Sequence, residues 1–169
     1  AAGAKVYGLA GGEKKCQLLM DKLKLDGAID YKATTDLKGE IERVIPDGVE
    51  IFFDNVGGEI LDAVLPTMSI GGCIVASGSV SQYGKGEQYG IKNLPLVTTR
   101  RLRMEGFLIL DYLDQVPTIL QEMETWFLEG KLINQNQLIH GLEKAQSALS
   151  ILATGGNTGK LAVYIDGDS

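Results

Sequence analysis

The sequence predicts an α/β fold, with a parallel, doubly wound sheet of the Rossmann type whose two faces are covered by helices. Short apolar runs alternate with segments whose apolar residues recur at the helical period, and this alternation is typical of βαβ units. Glycine-rich turns follow several of the apolar runs. The 169 residues, of which 44% are hydrophobic and 22% charged, suffice for one globular domain with a sizeable core.

In the first half of the chain, predicted strands alternate with predicted helices. Leu37, Ile41 and Ile45, for example, recur at the helical period just before a Pro-Asp-Gly turn. The predicted elements are strand Lys5–Ala10, helix Glu13–Leu25, strand Ala28–Tyr31, helix Asp36–Ile45, strand Val49–Val56, helix Glu59–Met68 and strand Cys73–Ala76.

The second half begins with a long predicted loop, Val80–Leu94, which is rich in Gly, Gln, Tyr and Ser. The pattern changes after Lys131, where a polar stretch begins, so we place a boundary between residues 132 and 133. The predicted elements are strand Arg103–Leu110, helix Asp114–Leu132, a helix near Leu142–Leu152 and strand Lys160–Ile165.

The composition argues against several classes of protein. A net charge of −6 does not suit a nucleic-acid-binding surface, which needs a basic footprint. No apolar run reaches the ~18–20 residues that span a bilayer. Cys16, Cys73 and the single histidine, His140, show no metal-ligand spacing, and we expect His140 to be an ordinary loop residue. We therefore expect a cytoplasmic protein with no nucleic-acid partner, no membrane contact and no metal site.

Four turns hold small or polar residues directly after an apolar run, where ligands bind in parallel sheets. These turns are Ala10–Lys15, Asp54–Gly58, Ser77–Tyr83 and Phe107–Leu110. Glycines follow strands in any α/β protein, so a single turn of this kind is weak evidence. Four turns at corresponding places favour a ligand site.

The turn after the first strand favours NADP over NAD. NAD-specific folds usually place an acidic residue at this strand end, where it binds the ribose hydroxyls. This sequence has Gly11 and Gly12 there, followed by Glu13, Lys14 and Lys15. Small residues leave room for a 2′-phosphate, and a lysine gives it a charge-assisted hydrogen bond. The alternative is a solvated helix start that happens to contain lysines.

Two glycine-rich segments do not match the nucleotide-binding motifs that they superficially suggest. Gly155–Lys160 (GGNTGK) is too short for a P-loop, has Leu161 in place of a Ser or Thr, and precedes a predicted strand rather than a helix. Gly84–Gly90 (GKGEQYG) lacks both the spacing of a GxGxxG motif and an immediately preceding strand.

Seven short motifs together resemble one family over nearly the whole chain. They are Gly8–Cys16 (GLAGGEKKC), Asp30–Lys32 (DYK), Phe53–Gly58 (FDNVGG), Gly71–Ile74 (GGCI), Ser77–Tyr83 (SGSVSQY), Arg103–Phe107 (RMEGF) and Asn157–Lys160 (NTGK). In this order they resemble the zinc-independent medium-chain dehydrogenase/reductases of the prostaglandin reductase, or leukotriene B4 12-hydroxydehydrogenase, type. That group includes bacterial and plant alkenal and curcumin reductases. The resemblance implies NADPH-dependent reduction of the carbon–carbon double bond of α,β-unsaturated ketones and aldehydes.

The resemblance also implies roles for individual residues. Lys15 falls where the family contacts the 2′-phosphate of NADP, and Tyr31 falls at the same adenosine end. Ser77–Tyr83 falls on the segment that closes over the nicotinamide half. Together with Gly11 from the turn analysis, the predicted cofactor-binding residues are Gly11, Lys15, Tyr31, Asn55, Ser77, Gly78, Ser79, Val80, Ser81, Tyr83, Phe107, Leu108, Ile109 and Asn157.

The chain departs from the family pattern in two respects. Ala1 follows no initiator Met, and the family's first strand, its glycine-rich phosphate loop and its N-terminal catalytic domain would all precede this residue. We therefore expect residues 1–132 to form an NADP-binding domain without its first strand, and residues 133–169 to return to that catalytic domain. Thr99 stands where some members have a tyrosine near the substrate, so no proton donor is identified.

The family often dimerises by joining sheet edges, so we expect a homodimer through the strand at Arg103. Tyr83 is the best local residue for lining the substrate cleft, the alternative being an ordinary loop aromatic. Two other functions stay open: an NADP-binding module without turnover, and a quinone or alcohol dehydrogenase of the same superfamily, including a zinc enzyme.

Overall fold

Seven strands and six α-helices alternate along residues 3–84 and 86–165, which the computed structural model of the protein describes. They are β1 (Tyr7–Ala10), α1 (Glu13–Asp21), β2 (Gly27–Asp30), α2 (Leu37–Val44), β3 (Val49–Asp54), α3 (Gly58–Val64), β4 (Met68–Ala76), α4 (Leu96–Thr99), β5 (Arg103–Gly106), α5 (Val116–Leu128), β6 (Asn136–His140), α6 (Ala145–Ala153) and β7 (Lys160–Tyr164). The predicted α/β class is confirmed. The start of the chain at Ala1 and one position of the predicted loop, Lys85, lie outside the described residues.

All pairings between the described strands are parallel, as predicted. The strands form three sheets rather than one, with the orders β1–β2, β3–β4–β5 and β6–β7. Strands β1 and β3 each have one partner among the described strands. The expectation that the NADP-binding domain lacks its first strand stays a prediction.

Several predicted boundaries are wrong because local turns end the elements early. The helix predicted to reach Leu25 ends at Asp21, since Lys24 adopts a left-handed conformation with φ 56°. The strand predicted to reach Leu110 ends at Gly106, and a 3₁₀ turn follows at Ile109–Tyr112. The helix predicted to reach Met68 ends at Val64, and a 3₁₀ turn containing Pro66 leads directly into β4.

Strand β6 was not predicted. Its sequence, NQLIH, is largely polar, and its residues alternate between exposed and half-buried, so the apolar signal is weak. His140 ends this strand, which corrects the expectation of a loop position. Strands β6 and β7 and helix α6 form the C-terminal part of the chain. The assignment of residues 133–169 to a catalytic domain stays a prediction.

One buried core joins the first two sheets. It contains Ile29 of β2, Ile41 of α2 and Ile74 of β4, together with Val64, Leu65, Met68 and Leu102. Leu9 of β1 and Phe52 of β3 pack against the same cluster. Helix α2 begins where the Asp36 side chain accepts a hydrogen bond from the Gly39 N–H at 2.9 Å, an N-cap that fixes the helix start. The ends of β1, β3 and β4, which carry predicted site residues, are therefore attached to one shared core.

Within the described ranges, none of the helices combines the length and the apolar character needed to cross a membrane. The longest of the six, α5, is amphipathic in sequence but has no buried residue. Phe127 and Leu128 of this helix are more than half exposed.

Candidate cofactor site

Gly11 lies directly against the residues that follow β2. Strands β1 and β2 pair in parallel with Ala10 opposite Asp30, so the turns after both strands leave the sheet at the same edge. A Cβ atom at Gly11 would lie 2.8 Å from the Tyr31 hydroxyl oxygen and 2.8 Å from Cε of Lys32. Because this space is filled, the acidic side chain typical of NAD-specific folds does not fit here without displacing its neighbours.

Asp30 fixes the two turns relative to each other. Its Oδ1 accepts hydrogen bonds from the Gly12 N–H at 2.8 Å and the Lys32 N–H at 2.9 Å. The bond from Gly12, and then the bond from Lys32, lowers the pKa of Asp30, because both bonds stabilise the charged carboxylate. This role of Asp30, the first residue of the DYK motif, was not predicted from the sequence.

Lys15 lies in the first turn of α1 and reaches the C-terminal part of the chain. Its Nζ donates a hydrogen bond to the carbonyl oxygen of Gly155 at 2.6 Å, across 140 residues of sequence. Gly155 begins the turn that contains Asn157, whose Nδ2 donates to the Gly159 carbonyl oxygen at 2.9 Å. The structure therefore brings Lys15 and the Asn157 turn together. An ammonium group has three donors, so Lys15 retains two beyond this bond.

A second group of predicted residues gathers at the ends of β3 and β4, which pair with Asp54 opposite Ala76. The N–H groups of Ser77 and Gly78 both donate to the Asp54 carbonyl oxygen, at 2.8 and 3.1 Å. The Val80 N–H donates to the carbonyl oxygen of Asn55 at 3.1 Å. Asn55 and the Ser77–Tyr83 segment are thus held against each other, as their positions after neighbouring strands predicted.

Buried Asp54 shapes the turn that carries Asn55. Its side chain is 2% exposed, and Oδ1 accepts from the N–H groups of Val56 at 2.8 Å and Gly57 at 2.9 Å. Gly57 has φ 64°, in the left-handed region that favours glycine, and α3 begins immediately after it. This role of Asp54, the second residue of the FDNVGG motif, was not predicted from the sequence.

Tyr83 and Phe107 complete the second group. The Tyr83 hydroxyl oxygen accepts a long hydrogen bond of 3.4 Å from the Ser79 N–H, while the residue stays 66% exposed. Phe107 follows β5, and its N–H donates to the Ala76 carbonyl oxygen at 2.9 Å. The Phe107 ring contacts Phe53 edge-on, with centroids 5.9 Å apart, and stacks on Tyr112 at 5.3 Å. Leu108 and Ile109, which follow it, are both more than half exposed.

The remaining residues singled out in the sequence lie elsewhere. Thr99 ends the short helix α4, and the His140 ring lies beside Tyr164 with centroids 5.2 Å apart. Across residues 3–84 and 86–165, no group of three or more His, Cys, Asp or Glu side chains is arranged to hold a metal ion. The predicted absence of a metal and the predicted cofactor contacts both stay predictions.

Comparisons with known proteins agree with the motifs. A 2-alkenal reductase (NADP(+)-dependent) of Nicotiana tabacum is 41% identical over 163 residues, which are 96% of this chain and 48% of that protein. An NADPH-dependent curcumin reductase of Escherichia coli is 34% identical over 172 residues, covering 98% of this chain and 50% of the relative. The crystal structure of CurA in complex with NADPH from Vibrio vulnificus superimposes with a TM-score of 0.88 at 34% identity, over 97% of this chain and 50% of that one.

The chain thus spans about half the length of the curated relatives it matches. The predicted resemblance to alkenal and curcumin reductases is confirmed, as is the Rossmann-type class of the fold. A family model described as zinc-binding dehydrogenase matches residues 1–125. Since this match covers most of the sequence, the chain belongs to the zinc-binding dehydrogenase family.

Proposed function

We propose that the protein containing this chain uses NADPH to reduce the carbon–carbon double bond of α,β-unsaturated ketones and aldehydes. The observation that carries its cofactor preference is the packing of Tyr31 and Lys32 over Gly11, where the acidic residue of an NAD-type site would have to displace both side chains. The names of the relatives, a 2-alkenal reductase and a curcumin reductase, support the reaction class.

The residues around Gly11 fit a phosphorylated adenosine. Lys15 and Lys32 are cations, and the Tyr31 hydroxyl is a neutral donor. Charge-assisted hydrogen bonds from ammonium groups are the ordinary means of binding a phosphate. Asp30 hydrogen-bonds the backbone of both turns and so holds the turns that carry these donors next to each other. We therefore assign the 2′-phosphate to this end of the site, with Lys15 as the main contact.

The group formed by Asn55, Ser77–Tyr83 and Phe107–Ile109 is proposed to bind the nicotinamide half. When bound, NADPH supplies the hydride that adds to the β-carbon of the enone. Tyr83 is proposed to line the substrate cleft, because it is exposed and its oxygen accepts from Ser79, which leaves its own proton available to donate. The residue that protonates the α-carbon is not assigned among the residues of this chain.

The test is NADPH consumption by the complete protein with a panel of enones, alongside the 169-residue chain. We expect turnover by the complete protein, a saturated ketone or aldehyde as product, and no turnover by the chain alone. NADPH binding without reduction of any enone, quinone or carbonyl compound would instead establish a cofactor-binding module. Turnover restricted to quinones or alcohols would assign the protein to another branch of the superfamily.

Three properties of the complete protein belong to the same proposal. We propose that it works without zinc, and metal analysis of active protein at less than stoichiometric zinc would support this. We propose a cytoplasmic homodimer joined through β5, whose four residues are exposed and whose one partner among the described strands is β4. Sedimentation of the complete protein tests the dimer, and cell fractionation tests the location.

A further inference from the structure

Asp62 is a buried carboxylate whose side chain is hydrogen-bonded to the loop Val80–Leu94. It lies on α3 and is 6% exposed. Its Oδ2 accepts from the Tyr89 hydroxyl at 2.8 Å, and its Oδ1 accepts from the Asn93 N–H at 2.7 Å. The Asn93 side chain in turn donates to the Asp62 carbonyl oxygen at 2.9 Å. Burying a charge is costly unless it is hydrogen-bonded, and here the partners of the side chain lie 27 and 31 residues away.

Gln82 holds the same loop from its other end. Its Oε1 accepts from the Tyr89 N–H at 2.7 Å, and its Nε2 donates to the Ser81 hydroxyl at 2.7 Å. The Ser81 hydroxyl donates to the Val56 carbonyl oxygen at 2.6 Å, just before α3. Tyr89 is therefore bonded through both its backbone N–H and its side-chain hydroxyl, and Gln82 is the residue directly before Tyr83.

Packing at the start of α3 reinforces this arrangement. A Cβ at Gly58 would lie 2.8 Å from the Ser81 hydroxyl oxygen and would overlap the Gln82 amide nitrogen. Gln82 thus lies across the start of the helix whose other turn carries Asp62. We refer to Asp62, Gln82, Tyr89 and Asn93 as the loop clasp.

Beyond Gly90 the loop is anchored by Ile91, which packs against the buried core, but the part from Tyr83 to Gly90 has few other anchors. Of its described residues between Tyr83 and Gly90, Tyr89 is the one that is not exposed. Nothing lies within 4 Å of a Cβ placed at Gly84, Gly86 or Gly90, so this part of the loop is surrounded by open space. Glycine-rich segments lose much conformational entropy when ordered, so hydrogen bonds must supply what packing does not.

We propose that the loop clasp positions Tyr83 and the Ser77–Ser81 turn for the enone, which makes Asp62 and Tyr89 positioning residues. This inference rests on the proposed function, since it concerns the same site. Ordering the loop costs conformational entropy. In the wild type the clasp orders the loop before substrate binds, whereas without the clasp substrate binding itself must supply the free energy for this ordering. The expected signature is a higher KM for the enone with kcat nearly unchanged.

The test compares the complete wild-type protein with Tyr89→Phe, Asp62→Ala and Asp62→Asn. Tyr89→Phe removes one bond to a charged group, and an effect of about tenfold is expected in the enone KM and in amide hydrogen exchange over residues 77–93. Asp62→Ala should raise the enone KM and the exchange rate more than Tyr89→Phe does. Asp62→Asn keeps an acceptor for the Asn93 N–H and a partner for the Tyr89 hydroxyl, so its KM and exchange rate should lie closer to those of the wild type than to those of Asp62→Ala. Tyr164→Phe, a half-exposed tyrosine of β7, is the matched control.

The outcomes separate the two proposals. If the wild type reduces enones but Tyr89→Phe and Asp62→Ala keep its KM and its exchange rates, the positioning role is overturned alone. A fall in kcat at constant KM would also overturn it, because that pattern reports loss of folded enzyme rather than loss of positioning. If the wild type reduces no enone, the proposed function fails, and the positioning of substrate fails with it.

Discussion

Replacement of Lys15 by alanine tests the assignment of the phosphate site most directly. Lys15 is half-buried in the first turn of α1, and Lys14 beside it is exposed. We expect Lys15→Ala to weaken NADPH binding selectively, because NADH lacks the 2′-phosphate that the ammonium group is proposed to contact. Lys14→Ala is the matched control, since it removes the same charge from the neighbouring position.

The magnitude follows from the two interactions of the ammonium group. A hydrogen bond to a charged group contributes about 1.5–3 kcal/mol, or about 10- to 100-fold in Kd. Lys15 is not fully buried, so solvent screening favours the lower half of this range, about 10- to 30-fold. Its 2.6 Å bond to the Gly155 carbonyl is lost as well, but that loss affects NADPH and NADH alike.

The assay is fluorescence titration of the complete protein with NADPH and with NADH, at low and at physiological salt. The Kd for NADPH should rise about 10- to 30-fold in Lys15→Ala, with a smaller effect at higher salt. The Kd for NADH should change by less than about threefold, because NADH has no 2′-phosphate for the Lys15 ammonium group to contact. An equal loss for both cofactors would refute the phosphate contact and leave Lys15 a structural link to the C-terminal turn.

Three further predictions concern the turns at Gly11 and Asp30 and the core that joins the first two sheets. Gly11→Asp should weaken the binding of NADPH more than the binding of NADH, because its carboxylate needs the space of Tyr31 and Lys32 and repels a phosphate. The ratio of the two Kd values measures this effect, and an unchanged ratio would contradict it. The folded-state pKa of Asp30 lies below the ordinary value of 3.8, so its stabilising contribution is complete above that pH and is lost as the pH falls through the folded-state pKa. Urea midpoints of wild type and Asp30→Asn should therefore differ at pH 7, and the difference should shrink progressively as the pH falls below 3.8; a constant difference would argue against this linkage. Ile41 is 2% exposed in the shared core, so Ile41→Ala should lower the free energy of unfolding by about 2–5 kcal/mol, as measured by urea unfolding. A decrease below about 1 kcal/mol would mean that the core is packed differently.

The sequence predicted the order and type of most elements because the relevant signals are local. The helical period of Leu37 and Ile41 is visible within one helix, and α2 forms where this pattern indicated. Boundaries were less accurate where a backbone conformation decided them, as at Lys24, and β6 was missed because its polar sequence carries little apolar signal. The predicted site positions after β1, β3, β4 and β5 followed from the rule that parallel strands share one ligand-binding edge.

By itself, then, the sequence determined the α/β class, the strand-end turns and the family resemblance, since each depends on residues close together in the chain or on motifs in a fixed order. Only the tertiary structure decided which side chains hold those turns in place. Asp30 accepts a hydrogen bond from Gly12, 18 residues away, and Asp62 accepts one from Asn93, 31 residues away. Lys15 donates a hydrogen bond to Gly155, 140 residues away. Hydrogen bonds of this kind leave no periodic trace in a sequence, because their partners are brought together only when the separate strands and helices pack against one core.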